Sequence, residues 1–286
     1  MSALPDVLSV VCRAFAFVLL LQASGVALFV AALGRELTAS VAVIRGFGCL
    51  SAAAAMLFAI GHYLLEPARM AGDMSGILDP ALQNLALQSG MGESFVIRIL
   101  GLATLAVGLR MRWAGVSIGG ALISIVAFTV VGHTVVSPHR TLLALLLFVH
   151  LLIVAFWIGS LGSLYLASVR EPAQVSATVT ARFSTVATWL VPCILLAGIG
   201  MTALLVPGMQ VFRQPYGELL LVKTSLFAVL MGLAALNKWR LAPRLSSGEP
   251  RTVEAFRRTV VAEYVLVCSV LTVTAVMTMF YSPEAA

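Results

Sequence analysis

Apolar stretches long enough to cross a bilayer follow one another along almost the whole chain, and this feature restricts the fold most. Residues 150–170, for example, read HLLIVAFWIGSLGSLYLASVR. Crossing the hydrocarbon core takes about 20 helical residues, and only α-helices and closed β-barrels satisfy their backbones in lipid. Barrel strands would be about ten residues long with alternating polarity, whereas these runs are continuous. With 10% charged residues, against about 25% in a typical soluble domain, the sequence predicts an all-α polytopic integral membrane protein.

The apolar runs divide the chain into a bundle of about eight transmembrane helices joined by mostly short loops. We therefore expect residues 1–286 to form a single transmembrane domain, with four helices in residues 1–140 and four in residues 141–286. The predicted spans cover roughly residues 7–33, 41–65, 94–109, 114–136, 141–170, 183–206, 218–238 and 259–281. The long loop after the second span carries a predicted short interfacial helix at residues 80–88.

Lysine and arginine are distributed unevenly between the two sides of these eight spans. Loops after the first, third, fifth and seventh spans carry twelve of them: Arg35, Arg45, Arg110, Arg112, Arg170, Arg182, Lys238, Arg240, Arg244, Arg251, Arg257 and Arg258. The loops of the other side carry three: Arg69, Arg140 and Arg213. By the positive-inside rule, we expect both termini to lie outside the cytoplasm, that is, in the periplasm if the membrane is a bacterial inner membrane. The net charge of +6 then reflects this topology and not nucleic-acid binding.

All four histidines fall on the predicted outer side. His62 and His133 lie within a few residues of the outer ends of their spans, and His139 lies in an outer loop. His150 is about nine residues into the fifth span, or roughly 13 Å deep at ~1.5 Å per residue, so it is deeper than the other two. An imidazole inside a span is costly and usually faces the bundle interior. Such a residue either makes a hydrogen bond between helices or binds a ligand.

Methionines share this one-sided distribution, with Met70 and Met74 in an outer loop and Met277 and Met279 at the outer end of the last span. Methionine commonly fills apolar cores, but imidazole and thioether together suit copper, and the thioether favours Cu(I). Calcium or magnesium would need clustered carboxylates. We therefore predict a copper site, for Cu⁺ or Cu²⁺, formed by the three span histidines with His139 and these four methionines.

Two other readings of the histidines stay open. Facing histidines on neighbouring helices are also what bis-histidine haem ligation needs, which would make the chain a b-type electron-transfer protein. The chain could also be an assembly factor that binds copper without transporting it. We expect no enzymatic activity, because the sequence contains no P-loop or H-E-x-x-H motif.

The fifth span and the residues after it contain four motifs in a fixed order. They are His150-x6-Trp157-Ile158-Gly159, Arg182-Phe183-Ser184, Tyr216-Gly217-Glu218-Leu219-Leu220-Leu221-Val222-Lys223, and Ala234-Ala235-Leu236-Asn237-Lys238. With them the sequence resembles the copper resistance protein D (CopD) family of bacterial inner-membrane proteins. Ala197-Gly198 departs from the Thr-Gly pair expected there. The resemblance implies copper handling together with a periplasmic CopC-type copper-binding protein, which we expect to be a separate chain.

Overall fold

The computed structural model of the chain describes residues 4–131, 138–206 and 208–281. In these residues the regular structure is entirely helical, so the predicted all-α fold is confirmed. The helices are α1 Leu4–Leu33, α2 Val41–Ala71, α3 Pro80–Gln88, α4 Gly90–Met111, α5 Ala114–Val126, α6 Arg140–Arg170, α7 Ala173–Leu205, α8 Pro215–Leu236 and α9 Pro250–Phe280. Seven helices of the described ranges are long and apolar enough to cross a membrane.

The fourth predicted span, residues 114–136, is not among these seven. It begins with α5, which is 13 residues long. It runs antiparallel to α4: a Cβ added at Gly108 would lie 2.3 Å from the backbone nitrogen of Ser117, near the start of α5. At the other end of α4, a Cβ at Gly90 would lie 3.6 Å from Val131. Residues 114–131 therefore extend over the same height as α4. The predicted continuation of this span to residue 136 lies outside the described residues.

The predicted short interfacial helix is α3, with the bounds expected for it. Asp79 caps it by accepting hydrogen bonds from the backbone nitrogens of Ala81 at 2.8 Å and Leu82 at 3.3 Å, and Pro80 occupies the first turn. Other helix ends differ from the hydropathy boundaries. The second helix continues to Ala71 instead of ending near residue 65, and α9 begins nine residues before its apolar run, because polar residues continue a helix beyond the apolar segment.

The long helix α1 is the most deeply buried of the candidate spans, and α6 crosses it backbone to backbone. A Cβ added at Gly25 would lie 1.7 Å from the carbonyl oxygen of Ala155, and one added at Gly159 would lie 2.2 Å from the carbonyl carbon of Gly25. Only glycine permits this approach, as is usual where membrane helices pack on small residues. The glycines of α6 therefore have a packing role, and this contact fixes the position of α6 along α1.

The two ends of the bundle have separate sets of polar contacts. At one end, Glu171 accepts hydrogen bonds from the residues that precede α2, and Arg182 pairs with Glu36 at 2.7 Å. At the opposite end, Arg69 pairs with Asp6 at 2.9 Å. The first end carries the twelve cations counted in the sequence, so we call it the cationic end; the other end, which we expect to face the periplasm, is called the outer end.

Candidate metal-binding region

His62 on α2 is 7% exposed and faces α1 near the outer end. Its Nδ1 lies 2.9 Å from the hydroxyl oxygen of Ser9. When the protonated Nδ1 donates to this oxygen, the lone pair of the ring is on Nε2, because the bond made by one nitrogen fixes the role of the other. The Ser9 contact therefore orients His62 and leaves Nε2 as the nitrogen suited to a metal ligand.

Charged side chains surround His62 and form, with it, the outer polar cluster. Its members are Asp6, Ser9, Arg13, His62, Glu66, Arg69 and Arg98. Arg69 pairs with Asp6 and with Glu66, both at 2.9 Å. Arg13 and Arg98 are also close enough to act electrostatically on His62. Three arginines and two carboxylates give the cluster a formal charge of +1 when His62 is neutral.

Arg13 and Arg98 have contacts inside the protein that a snorkelling side chain would not need. Arg13 donates a 3.0 Å hydrogen bond to the hydroxyl of Thr278 on α9. The guanidinium carbon of Arg98 lies 4.3 Å from the centroid of the Phe128 ring, a cation–π arrangement. The Nε of Arg98 is buried without a hydrogen-bond partner among the described residues. Both cations are therefore parts of the site, which inspection of the sequence did not indicate.

His150 is a residue of α6 whose side chain faces α7. Its ring faces the backbone of Ile194, and its Cε1 lies 4.0 Å from the position that a Cβ of Gly198 would occupy. Nδ1 is buried without a partner among the described residues. Lys223 on α8 is close enough to act on the ring electrostatically. His150 therefore has an unused buried nitrogen, and it contacts a different pair of helices from His62.

The contacts of α1 give both histidines a common reference level. A Cβ at Gly48 would lie 2.7 Å from Val26, and one at Gly159 would lie 2.4 Å from the backbone nitrogen of Val26. His62 follows Gly48 by 14 residues along an outward-running helix, whereas His150 precedes Gly159 by nine. At ~1.5 Å per residue, they lie about 21 Å and about 13 Å toward the outer end. His62 is therefore the outer of the two, by roughly 8 Å along the helices.

The other expected ligands have varied environments. His133 lies outside the described residues, and His139 is an exposed residue at the start of α6. Met70 and Met74 are exposed near the outer end of α2, Met277 is buried against Val211 and Tyr216, and Met279 is half-buried. Within the described ranges, no group of three His, Cys, Asp or Glu residues is placed to hold a metal ion. The convergence of the three span histidines therefore stays a prediction.

Comparison with known proteins places the chain in a family. A family model described as "Copper resistance protein D" matches residues 177–277, and one described as "Copper resistance protein D-like, N-terminal domain" matches residues 4–139. This chain belongs to the copper resistance protein D family. It is 32% identical over 162 residues to the copper transport protein CutJ of Bacillus subtilis (strain 168). The match covers 55% of this chain and 28% of that relative. No solved structure matches the chain.

This copper resistance protein D relative also contains a buried polar network that sequence inspection missed. It consists of Trp157 on α6, Asn237 after α8, and Thr259 and Glu263 on α9; we call it the inner polar network. Glu263 is 3% exposed and Asn237 is 8% exposed. A lone glutamate inside the apolar run of the last span was the available signal. Trp157 and Asn237 both belong to the motifs on which the resemblance was based.

Proposed function

We propose that this copper resistance protein is a multi-pass inner-membrane protein that accepts copper from the periplasm and passes it across the membrane. Family membership supports a role in copper handling, and the twelve-to-three distribution of cations supports periplasmic termini. The observation that carries the proposal is that two histidines, the buried His62 and the half-buried His150, lie at successive depths from the outer end, each with a ring nitrogen suited to a metal. We infer no catalytic reaction.

Copper would enter this region as the substrate through residues at increasing depth in the membrane. The exposed Met70 and Met74 offer thioethers to Cu(I) at the outer end. His62, whose ring is oriented by Ser9, would bind the ion next, and His150 would bind it deeper in the membrane. His133 and His139, from the connection between α5 and α6, would supply further ligands. Stepwise exchange among few ligands at each stage suits transport, since binding must be weak enough to permit release.

The periplasmic donor would be a separate copper-binding protein of the CopC type, as the family resemblance implies. Its docking face would be the outer end, where the two exposed methionines lie. Membrane lipid surrounds the apolar outer faces of the helices. The chain would form one transmembrane domain with two halves, residues 1–140 and 141–286, and each half contains the match to one of the two family models.

Metal analysis of the purified protein in detergent tests this proposal. Wild-type protein loaded with Cu(I) should retain copper stoichiometrically, whereas His62→Ala and His150→Ala should each lose at least one bound ion. His139→Ala should only weaken binding. A Met70→Leu/Met74→Leu double variant should slow loading, and Met231→Leu, a methionine of α8 away from the outer loops, serves as its control. Full occupancy in both His62→Ala and His150→Ala would contradict the proposal.

One observation favours a second candidate, a b-type haem protein. Haem propionates are anionic, and three arginines surround His62 in the outer polar cluster, whose formal charge is +1. Such surroundings suit an anionic group better than a bare copper ion. An oxidised-minus-reduced absorption spectrum of the membrane-extracted protein distinguishes the two, since a haem band lost in His62→Ala would support the electron-transfer function.

A further inference from the structure

Glu263 on α9 is buried inside the bundle, at 3% exposure, toward the cationic end. It lies four residues after Thr259 on α9 and faces Asn237, where α8 gives way to the π-helical segment Asn237–Leu241. Ionisable groups within membrane spans are costly and are usually functional, and short π-helical segments often occur at functional sites. Glu263 has no part in the copper path described above.

Two side-chain hydrogen bonds of the inner polar network lead from Thr259 through Asn237 to Glu263. The hydroxyl of Thr259 donates to Oδ1 of Asn237 at 2.5 Å, and Nδ2 of Asn237 donates to Oε1 of Glu263. Trp157 also faces the carboxyl group, and its indole N–H is buried without a hydrogen-bond partner among the described residues. The network therefore surrounds Glu263 with neutral donors, which stabilise a carboxylate but leave its charge uncompensated.

Neighbouring cations are directed elsewhere. Lys238, the residue after Asn237, donates to the hydroxyl of Thr188 on α7 at 2.6 Å. Arg257 on α9 donates to the hydroxyl of Ser168 on α6 at 3.1 Å. Arg258 pairs with Glu254 at 2.9 Å. None of the ion pairs in the described part of the chain includes Glu263. When Glu263 is ionised, its negative charge therefore has no fixed cationic partner, and only a mobile cation can neutralise it.

The chemistry of the network selects a proton over a metal ion. A hard cation needs several oxygen acceptors, but the amide of Asn237 presents its NH2 group, and Trp157 presents an N–H. The nearest sulfur on the same helix, Cys268, interacts with Tyr264, and Cu(I) prefers sulfur or imidazole to a lone carboxylate. A proton needs only one free carboxylate lone pair.

We propose that Glu263 is a reversible proton-binding site, filled from the cationic end, and that copper movement depends on its occupancy. A proton from the aqueous phase adds to a carboxylate oxygen to form the neutral acid, and it leaves by the same O–H bond. Lys238, the residue after Asn237, lines a groove together with Thr185 and Thr188, which brings this groove next to one member of the network. The role in copper movement rests on the proposed function; the proton site itself does not.

Infrared spectroscopy of the purified, metal-free protein tests the proton site alone. During a pH titration, wild-type protein should show the carbonyl band of a protonated carboxyl group appear and disappear. Glu263→Gln should lose this band, and Glu254→Gln, on the exposed face of the same helix, should keep it. Asn237→Leu should change the midpoint of the titration by about one pH unit or more, since a hydrogen bond to a charged group is removed. If Glu263→Gln retains the band, the proton site is refuted.

Copper uptake into proteoliposomes at different internal pH values tests the role of the site. Wild-type uptake should vary with internal pH, uptake by Glu263→Gln should be at least tenfold slower at every pH, and Glu254→Gln should match wild type. Glu263→Asp, which keeps a carboxyl group, should restore pH dependence in part and separates loss of the proton from loss of folding. Uptake by Glu263→Gln with wild-type pH dependence would overturn the role in transport. A titrating band in a protein that moves no copper would support the proton site while refuting the proposed function.

Discussion

Glu171 acts as a helix cap supplied by another helix, and its removal should measurably destabilise the bundle. It ends α6, and its Oε1 accepts backbone hydrogen bonds from Thr38 at 3.1 Å, Ala39 at 2.9 Å and Ser40 at 2.7 Å. The hydroxyls of Ser40 and Thr38 add bonds at 2.6 and 3.1 Å. Ser40 is the N-cap of α2 but makes no side-chain cap bond of its own. Its N–H and hydroxyl instead bind Glu171, which holds the start of α2 and ties it to α6.

The size of the effect follows from two contributions. Loss of an N-cap acceptor costs about 1 kcal/mol, and loss of a negative charge at a helix N-terminus costs roughly 0.3–1 kcal/mol. Glu171→Ala should therefore lower the free energy of unfolding by about 2 kcal/mol. Glu171→Gln keeps one acceptor oxygen and loses the charge, so it should cost less than half as much.

The contribution of Glu171 should also depend on pH. Desolvation opposes ionisation of this carboxyl group, but the hydrogen bonds from Ser40, Thr38 and Ala39 outweigh it and lower its pKa in the folded protein. The stabilisation is therefore fully present above the pKa of an unfolded glutamate, about 4.3, and is lost as the pH falls through the lower folded value. The difference between wild type and Glu171→Ala should be constant from pH 5 upward, at about 2 kcal/mol, and should shrink in more acidic solution.

Unfolding in mixed detergent and dodecyl sulfate micelles, followed by circular dichroism, measures these differences. The matched control is Glu254→Ala, which removes a surface ion pair with Arg258 and should cost less than about 0.5 kcal/mol. If Glu171→Ala is no less stable than this control, or if its deficit persists unchanged through the acidic range, the capping role assigned to Glu171 is wrong.

Three further predictions concern packing, the copper site and topology. Gly159→Leu should lower the thermal stability in detergent strongly, since overpacking costs about 1–3 kcal/mol or more, whereas Gly46→Leu should be neutral because a Cβ there meets no atom within 4 Å; similar melting of the two would contradict the α1–α6 contact. Ser9→Ala should weaken copper binding by about 10–100-fold with unchanged folding, and equal affinity would show that Ser9 does not orient the histidine. Reporter fusions after Gly72 and after Arg240 should give periplasmic and cytoplasmic signals, and the reverse pattern would invert the proposed orientation.

Hydropathy predicted the helices and their two-sided arrangement because both depend on local composition. The spans themselves, and the collection of cationic loops at one end, required only the length of apolar runs and the position of lysine and arginine. Helix ends were less predictable, since α2 continues to Ala71 and α9 begins at Pro250 where polar residues extend the helix beyond the apolar run. The short helix Pro80–Gln88 was predictable because an aspartate cap and a proline mark its start.

The surroundings of the candidate site could not be predicted, because they depend on which helices are neighbours. Nothing near His62 in the sequence indicates Ser9, which is 53 residues away. Arg98 contacts Phe128, which lies in the turn after α5, so the free-energy cost of placing this arginine in the membrane could not be judged from its own span. Glu263 was overlooked for the same reason, since its partner Asn237 is 26 residues away and no local spacing joins the two.

The same face of α6 carries the deeper histidine and the indole of the inner polar network. His150 and Trp157 are seven residues apart, or about 10 Å along the helix, and both contact α7, where the Trp157 ring lies 6.0 Å from that of Phe183. Unit charges about 10 Å apart interact by about 1.7 kcal/mol at an effective dielectric constant of 20, equivalent to roughly a tenfold change in affinity. Because Glu263 faces Trp157, we take this rise along α6 as the scale of its separation from His150. An ionised Glu263 should then strengthen copper binding at His150 by up to about tenfold, and bound copper should favour proton release by the same factor. At a fixed neutral pH, Glu263→Gln should bind Cu(I) up to about tenfold more weakly than wild type in a competition titration, while Glu254→Gln should bind it equally well. Equal copper affinity in the wild type and Glu263→Gln would show that the two sites are independent.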